Sequence, residues 1–270
     1  MSGLVAVTLG NSSAALARVA GGNVGEVRRV PVGRVADLGE ALAAGRRPQV
    51  IAASVNPPAL ERLRRLSVRA TGRPPRVARV DFPVPMKMDV DRPEEVGVDR
   101  LLGAFAAWRR VRRACVVIDC GTATTVNAVS AKGVFLGGAI FPGPALLTRA
   151  LARGTAQLPA VAPGPAASAI GKSTEEAIRA GVWFGWQGGV LALLAAALSE
   201  VGDDAPVFLT GGDRDVLAPE VPALIASGRG AGKRSAKRSR CEVVPELVLE
   251  GLVLAYRPGT GPDFGEHVKR

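Results

Sequence analysis

Apolar positions along this chain come in short runs broken by glycine, proline and small polar residues, and two of the runs repeat one another. VAVTLGNSSAALARV (residues 5–19) reads as strand, turn and strand, followed by a Gly-containing turn at 21–23 and a third strand. VVIDCGTATTVNAVS (residues 116–130) has the same order, with its second turn at KGV, 132–134. The two align without a gap, setting Thr8 on Asp119 and Gly10 on Gly121. Two strand–turn–strand–turn–strand segments, each leading into βα material, predict a duplicated α/β unit; two unrelated hairpins of similar composition are the alternative.

The intervening pattern fits two halves. In the first, DLGEALAAG reads as a helix, PQVIAASVNP as a buried strand and PALERLRRLSV as a second helix. PRVARVDF comes next as a strand, and Pro93 at a first helical position opens a helix through EEVGVDRLLGAFAAWRRVRR. In the second half LLTRALARG is a helix, 159–170 a Pro/Ala-rich loop, and Ser173 with Glu176 forms a capping box for a long apolar helix ending near Glu200. PVFLTGG is a strand, and PELVLEGLVLAY a closing helix. These readings place the domains at 1–113 and 114–270.

Composition narrows the class. Apolar residues make up 47% of 270, enough for a substantial core. An uninterrupted apolar run of membrane-spanning length is not expected, and MSGLVAV lacks a basic leader, so the reading is a cytoplasmic protein with no membrane partner. Cys115, Cys120 and Cys241 form no CxxC pair and read as reduced, mostly buried residues. The single histidine, His267, lies in a polar tail, which argues against a His-based triad or zinc site. A net charge of +11 raises the question of nucleic acid. Its cations concentrate at 62–79, 109–113 and 229–240 with almost no aromatics among them, so no specific nucleic-acid partner is expected. The segment 228–240 reads as a surface loop.

Candidate chemistry lies in the glycine turns. A glycine just after a strand lets successive backbone N–H groups point into one concavity. Gly10, Asn11, Ser12 and Ser13 in one turn, and Gly121, Thr122, Thr124 and Thr125 in the other, surround such concavities with donors for phosphate oxygens. Asp119 could hold a cation directly or through water. Asp99, beside Arg100 at the start of a helix, reads either as half of a surface ion pair or as a general base with Arg100 on an anionic substrate. The double glycine of PVFLTGG allows close ligand approach at a strand end. Trp183 and Trp186 read as core or dimer interface.

Taken together, IDCGTATT, RPEEVGVDRL, FLGGAIFPG, IGKSTEEAIRAGVWFG, TGG and LVLEGLVLAY resemble, in order, the motifs of the type III pantothenate kinases. The resemblance implies an actin/hexokinase/Hsp70-like fold of two ribonuclease-H-like domains with an ATP cleft between them. It implies ATP-dependent phosphorylation of pantothenate to 4′-phosphopantothenate, the first step of coenzyme A synthesis, with Mg²⁺ or another divalent cation and K⁺. Asp119 would be the K⁺ ligand, Thr122 and the 8–13 turn would contact ATP, and Asp99 would be the catalytic base. Gly97, Val98, Arg100 and Thr174 would surround pantothenate, in a homodimer. Two positions depart from the family pattern: Thr8 stands where a phosphate- and metal-positioning aspartate is found, and Val90 where a tyrosine is common. They leave a catalytically weakened or inactive paralogue, binding nucleotide or a partner, as the alternative.

Overall fold

The computed structural model describes residues 3–44, 47–227 and 241–256. Along the chain run β1 (Leu4–Leu9), β2 (Ser13–Ala20), β3 (Asn23–Pro31), α1 (Gly39–Ala43), β4 (Gln49–Ser54), α2 (Pro57–Thr71) and β5 (Arg76–Val77). The short β6 (Lys87–Met88) and α3 (Val98–Val111) come next. The order then starts again with β7 (Cys115–Cys120), β8 (Ala123–Val129), β9 (Val134–Pro142), α4 (Pro144–Gly154), α5 (Thr174–Val201), β10 (Val207–Gly211), α6 (Arg214–Leu217), α7 (Glu220–Ser227), β11 (Cys241–Val243) and α8 (Leu247–Ala255).

The chain divides into two compact units, Val111–Pro245 and the remainder. Each is built on the same sheet. In the first, the strand order is β3-β2-β1-β4-β5; in the second, β9-β8-β7-β10-β11. In both, the first three strands pair antiparallel and the central one runs parallel to the next strand in the order. The duplication read from the sequence is therefore a duplication of topology.

The gapless alignment of the two copies holds for the first strand and slips at the turn. Three residues, 10–12, connect β1 to β2, whereas two, 121–122, connect β7 to β8. The register shows the same offset: Leu9 pairs with Ala14, but Cys120 pairs with Thr124.

The break between units comes after Arg110, and the described C-terminal residues, 246–256, belong to the first unit. Helix α8 crosses α3 so closely that a Cβ at Gly251 would lie 2.2 Å from the Leu102 carbonyl oxygen. A linear reading assigns a terminal helix to the half it succeeds in sequence, and only tertiary packing reveals the return.

In the first unit, Val5, Val7, Leu9, Leu16, Leu38, Leu42, Val50 and Leu63 meet in one core. In the second, Val116, Ile118, Val126, Val207 and Leu209 of the sheet meet Trp186, Val190, Leu194 and Leu198 of α5. The α5 stripe falls every four residues, so one face of a 28-residue helix is buried. Trp186 also donates its indole N–H to the buried Thr124 hydroxyl at 2.9 Å, which satisfies both polar groups inside the core. By length and composition α5 contains a stretch apolar enough to cross a membrane, a property that the core helix of a globular domain can share. That revises the expectation that no run reaches such a length; scattered Gly, Trp and Gln residues interrupt the run in sequence without making the helix polar.

Three local readings change. The strand read over 75–82 stops after Val77, because Arg79 takes a left-handed conformation at φ +64° and residues 77–82 form a tight turn. Asp81 stitches that turn by accepting the Val77 N–H at 2.7 Å. The helix read from Pro93 begins instead at Val98: Pro93–Glu95 is a single 3-10 turn, and Val96 is extended. In the capping box, Ser173 accepts the Glu176 N–H at 3.2 Å, but the Glu176 carboxylate takes the Lys172 N–H at 2.7 Å. The basic segment 228–240 and His267 lie outside the described residues.

Candidate active site

The chemistry-bearing residues of the first unit sit in two places. Thr8 is half-buried near the C-terminal end of β1, and Gly10, Asn11, Ser12 and Ser13 form the turn to β2, closed by the Gly10 N–H on the Ser13 carbonyl at 2.9 Å. Asn11, Ser12 and Ser13 are exposed, as a ligand-facing turn requires.

The second place is the start of α3. Val98 is buried and anchors the turn, while Asp99 and Arg100 are half-buried. The Arg100 N–H donates to Asp99 Oδ1 at 2.8 Å. Gly97 lies against the same carboxylate, since a Cβ there would come within 2.6 Å of Oδ1. Burial raises the Asp99 carboxyl above its ordinary value, opposed by the Arg100 N–H and by the Arg100 charge. The Arg100 guanidinium is lowered by its own burial, with Asp99 opposing. This is a carboxylate held in one orientation and made more basic, as proton abstraction from a hydroxyl requires.

In the second unit Asp119 stands near the tip of β7, between Thr125 on β8 and Thr210 on β10. Gly121 and Thr122 form the two-residue turn beyond it. The segment after β9 braces this turn from below: the Gly143 N–H donates to the Thr122 carbonyl at 3.0 Å, and a Cβ at Gly143 would lie 2.4 Å from the Gly121 carbonyl oxygen. At the end of β10, Gly211 has φ +89°, and a Cβ there would lie 2.5 Å from Asp119 Oδ1. Thr174 is the first residue of α5 and is exposed. A cavity of 390 Å³ has Ser168, Gly171, Lys172, Glu176 and Arg179 in its wall, but not Thr174.

Two residues of this site were not singled out in the sequence. The Asp213 N–H donates to the Cys120 carbonyl at 3.0 Å, and Arg214 Nη1 donates to the Gly211 carbonyl at 2.7 Å. Burial, then the charges of Asp119 and Asp213, push the Cys120 thiol up, and Arg214 opposes them. These charges therefore gather at the adjoining tips of β7 and β10. The signal available was their position straight after the double glycine. Burial also pushes the Cys115 thiol up to about 12 and that of Cys241 up to about 11, which disfavours the nucleophilic thiolate.

Among the described residues no group of three His, Cys, Asp or Glu side chains forms a metal cage. Mg²⁺ needs no such cage when it arrives on nucleotide phosphates, because it keeps several waters and takes one or two protein carboxylates. Asp119, with Thr125 and Thr210 beside it in register, fits that mode of binding, and an oxygen-liganded monovalent ion equally.

A family model for type III pantothenate kinase matches residues 4–196. The chain belongs to the type III pantothenate kinase family. A type III pantothenate kinase of Anaeromyxobacter sp. strain K is 38% identical over 207 residues, covering 77% of this chain and 75% of the relative. Among solved structures, a Baf-family transcriptional activator of Campylobacter jejuni superposes with a TM-score of 0.54 at 18% identity, over 93% of this chain and 96% of that one. A ROK-family glucokinase of Streptomyces griseus, in complex with glucose and AMPPNP, gives 0.53 at 15%, over 94% and 99%. At these identities the likeness is one of fold, a duplicated α/β fold with two matching sheets. Type III pantothenate kinases are phosphotransferases that use ATP to phosphorylate pantothenate in coenzyme A synthesis.

Proposed function

We propose that this chain transfers the γ-phosphoryl group of ATP to the 4′-hydroxyl of pantothenate, in the cytoplasm, with Asp99 as the base. As the hydroxyl oxygen bonds to phosphorus and the bridge to ADP breaks, the proton passes to the Asp99 carboxylate. The observation that carries this reading is the geometry of Asp99: one oxygen fixed by the Arg100 N–H, the side chain packed on Gly97, and the carboxyl raised by burial. The turns at 10–13 and 121–122 would hold ATP phosphates with backbone N–H groups and hydroxyls, and Gly97, Val98, Arg100 and Thr174 would contact pantothenate. Asp119 would hold K⁺, whose positive charge would offset that of the phosphates. A divalent cation bound to ATP would neutralise developing charge.

Assembly is part of the same reading. The face of α5 turned away from the core carries Ala177, Gly181, Gly185 and Gly188, all exposed, around Phe184, which is 43% exposed. An apolar patch of small residues around one aromatic suits a second copy of the chain.

One observation favours a weakened enzyme: Thr8 brings no charge to the first copy of the site. An assay of 4′-phosphopantothenate formation, with and without K⁺, tests both readings. Turnover well above that of Asp99→Ala is the expected result; a homogeneous wild-type protein no faster than Asp99→Ala overturns the kinase.

A further inference from the structure

Arg79 is held in a conformation that residues with side chains rarely take, at φ +64°. Its backbone is pinned: its N–H donates to the Phe82 carbonyl at 2.7 Å, and the Asp81 N–H to the Val77 carbonyl at 2.7 Å. From this fixed base its guanidinium reaches 14 and 17 residues along the chain. Nη2 donates to the Pro93 carbonyl at 2.7 Å and Nη1 donates to the Val96 carbonyl. These two carbonyls bracket the 3-10 turn, and Pro93 also accepts the Val96 N–H at 3.3 Å.

Asp99 lies directly beyond that turn. The Val96 carbonyl belongs to the peptide unit joining Val96 to Gly97, whose Cα packs on the Asp99 carboxylate. The Gly97 carbonyl accepts the first α3 bond, from the Leu101 N–H at 3.2 Å. A planar two-pronged donor suits this task because it fixes two acceptors in one plane, which a lysine ammonium does not. The Arg79 contacts are all intrachain backbone contacts, so its place is behind the site.

We propose that Arg79 is a positioning residue for Asp99: its guanidinium latches the 93–96 turn and so sets where the carboxylate at residue 99 stands. This rests on the reading of Asp99 as the base.

Arg79→Gly is the decisive variant, since glycine accepts the backbone conformation while removing the fork. Two readouts apply to the full-length protein. Amide hydrogen exchange should speed up over residues 96–100 in Arg79→Gly, and remain unchanged over 5–19. In steady-state kinetics, kcat/KM for pantothenate should fall about 10- to 100-fold, as expected for a base displaced by about an ångström, with KM for ATP unchanged. Millimolar guanidinium ion should restore part of the rate in Arg79→Gly, and Arg79→Lys should recover less than half of the loss. Wild-type exchange over 96–100, or an unchanged kcat/KM for pantothenate, overturns the latch. Asp99→Asn assayed alongside separates the two claims: full turnover there removes the base, whereas the exchange result judges the latch alone.

Discussion

Thr8 and Asp119 hold the same position in two copies of one sheet, each one residue before the end of its central strand, and they differ in their neighbours as well as in charge. Asp119 is flanked in register by Thr125 and Thr210; Thr8 is flanked by Ala15 and Ala53. The first copy thus lacks a carboxylate, and the Thr8 hydroxyl has no polar side chain beside it in its row. Phosphoryl transfer depends chiefly on fixed charges around the phosphates and their metal, so this is where rate should be lost.

Restoring the charge is the direct check. Thr8→Asp should raise kcat by about tenfold or more at saturating ATP and Mg²⁺, and lower the Mg²⁺ concentration needed for half-maximal rate. Both are read from product formation across a Mg²⁺ titration. A variant with wild-type kcat and the same Mg²⁺ dependence shows that Thr8 does not limit the enzyme.

Asp99 should show the opposite relation between activity and stability. Its folded-state pKa is raised by burial, so the native state favours the protonated form. For a raised carboxyl, the stabilising contribution is complete below the unfolded value and is lost as pH rises through the folded one. At neutral pH the ionised carboxylate therefore costs stability. Asp99→Asn should melt higher than wild type at pH 7, and the difference should vanish in acid. The same substitution should cut kcat by about 10²- to 10⁴-fold. In the wild type, kcat/KM should fall with decreasing pH along a limb lying above the ordinary aspartate value. An Asn variant that is both active and no more stable contradicts the assignment.

The site is legible in the sequence where chemistry and spacing coincide. Asp99, Asp119 and the two glycine turns are local features, and the repeat that relates Thr8 to Asp119 needs only the alternation of apolar and small residues. The turn of residues 77–82 is hidden because Val77, Val80 and Phe82 have strand propensity, while the interaction that breaks the strand is a left-handed arginine. Pro93 reads as a helix start because proline suits a first turn; that it opens only one 3-10 turn, with Val96 extended and its carbonyl on Arg79, is not visible in local sequence. Asp213 and Arg214 acquire meaning only when β10 is laid beside β7. Chain order puts helix α8 in the wrong half, because it says nothing of which sheet a terminal helix covers.

Gly211 should tolerate no side chain. Its φ of +89° disfavours any L-residue, and a Cβ would lie 2.5 Å from both Asp119 Oδ1 and the Cys120 backbone. Gly211→Ala should lose more than about 1 kcal/mol of stability. Because the displaced group is Asp119, it should also raise KM for ATP more than KM for pantothenate. Thermal melts and paired Michaelis curves check the two halves, and an alanine variant with wild-type ATP affinity would place nucleotide binding away from the β7 and β10 tips.

Phe184 offers the test of assembly. The buried stripe of α5 commits one face of the helix to the second unit's core, so the exposed face around Phe184 is free to meet another chain. Ala177, Gly181, Gly185 and Gly188 recur every three or four residues on that face, and small residues let a facing helix approach until its side chains reach backbone. A carboxylate set among them would be desolvated on association with no cation supplied in return. Phe184→Glu should therefore sediment as a monomer at concentrations where the wild type sediments as a dimer, and its melting temperature should become independent of protein concentration. A variant that still dimerises moves the interface off α5, and a wild-type chain that sediments only as a monomer removes the dimer altogether.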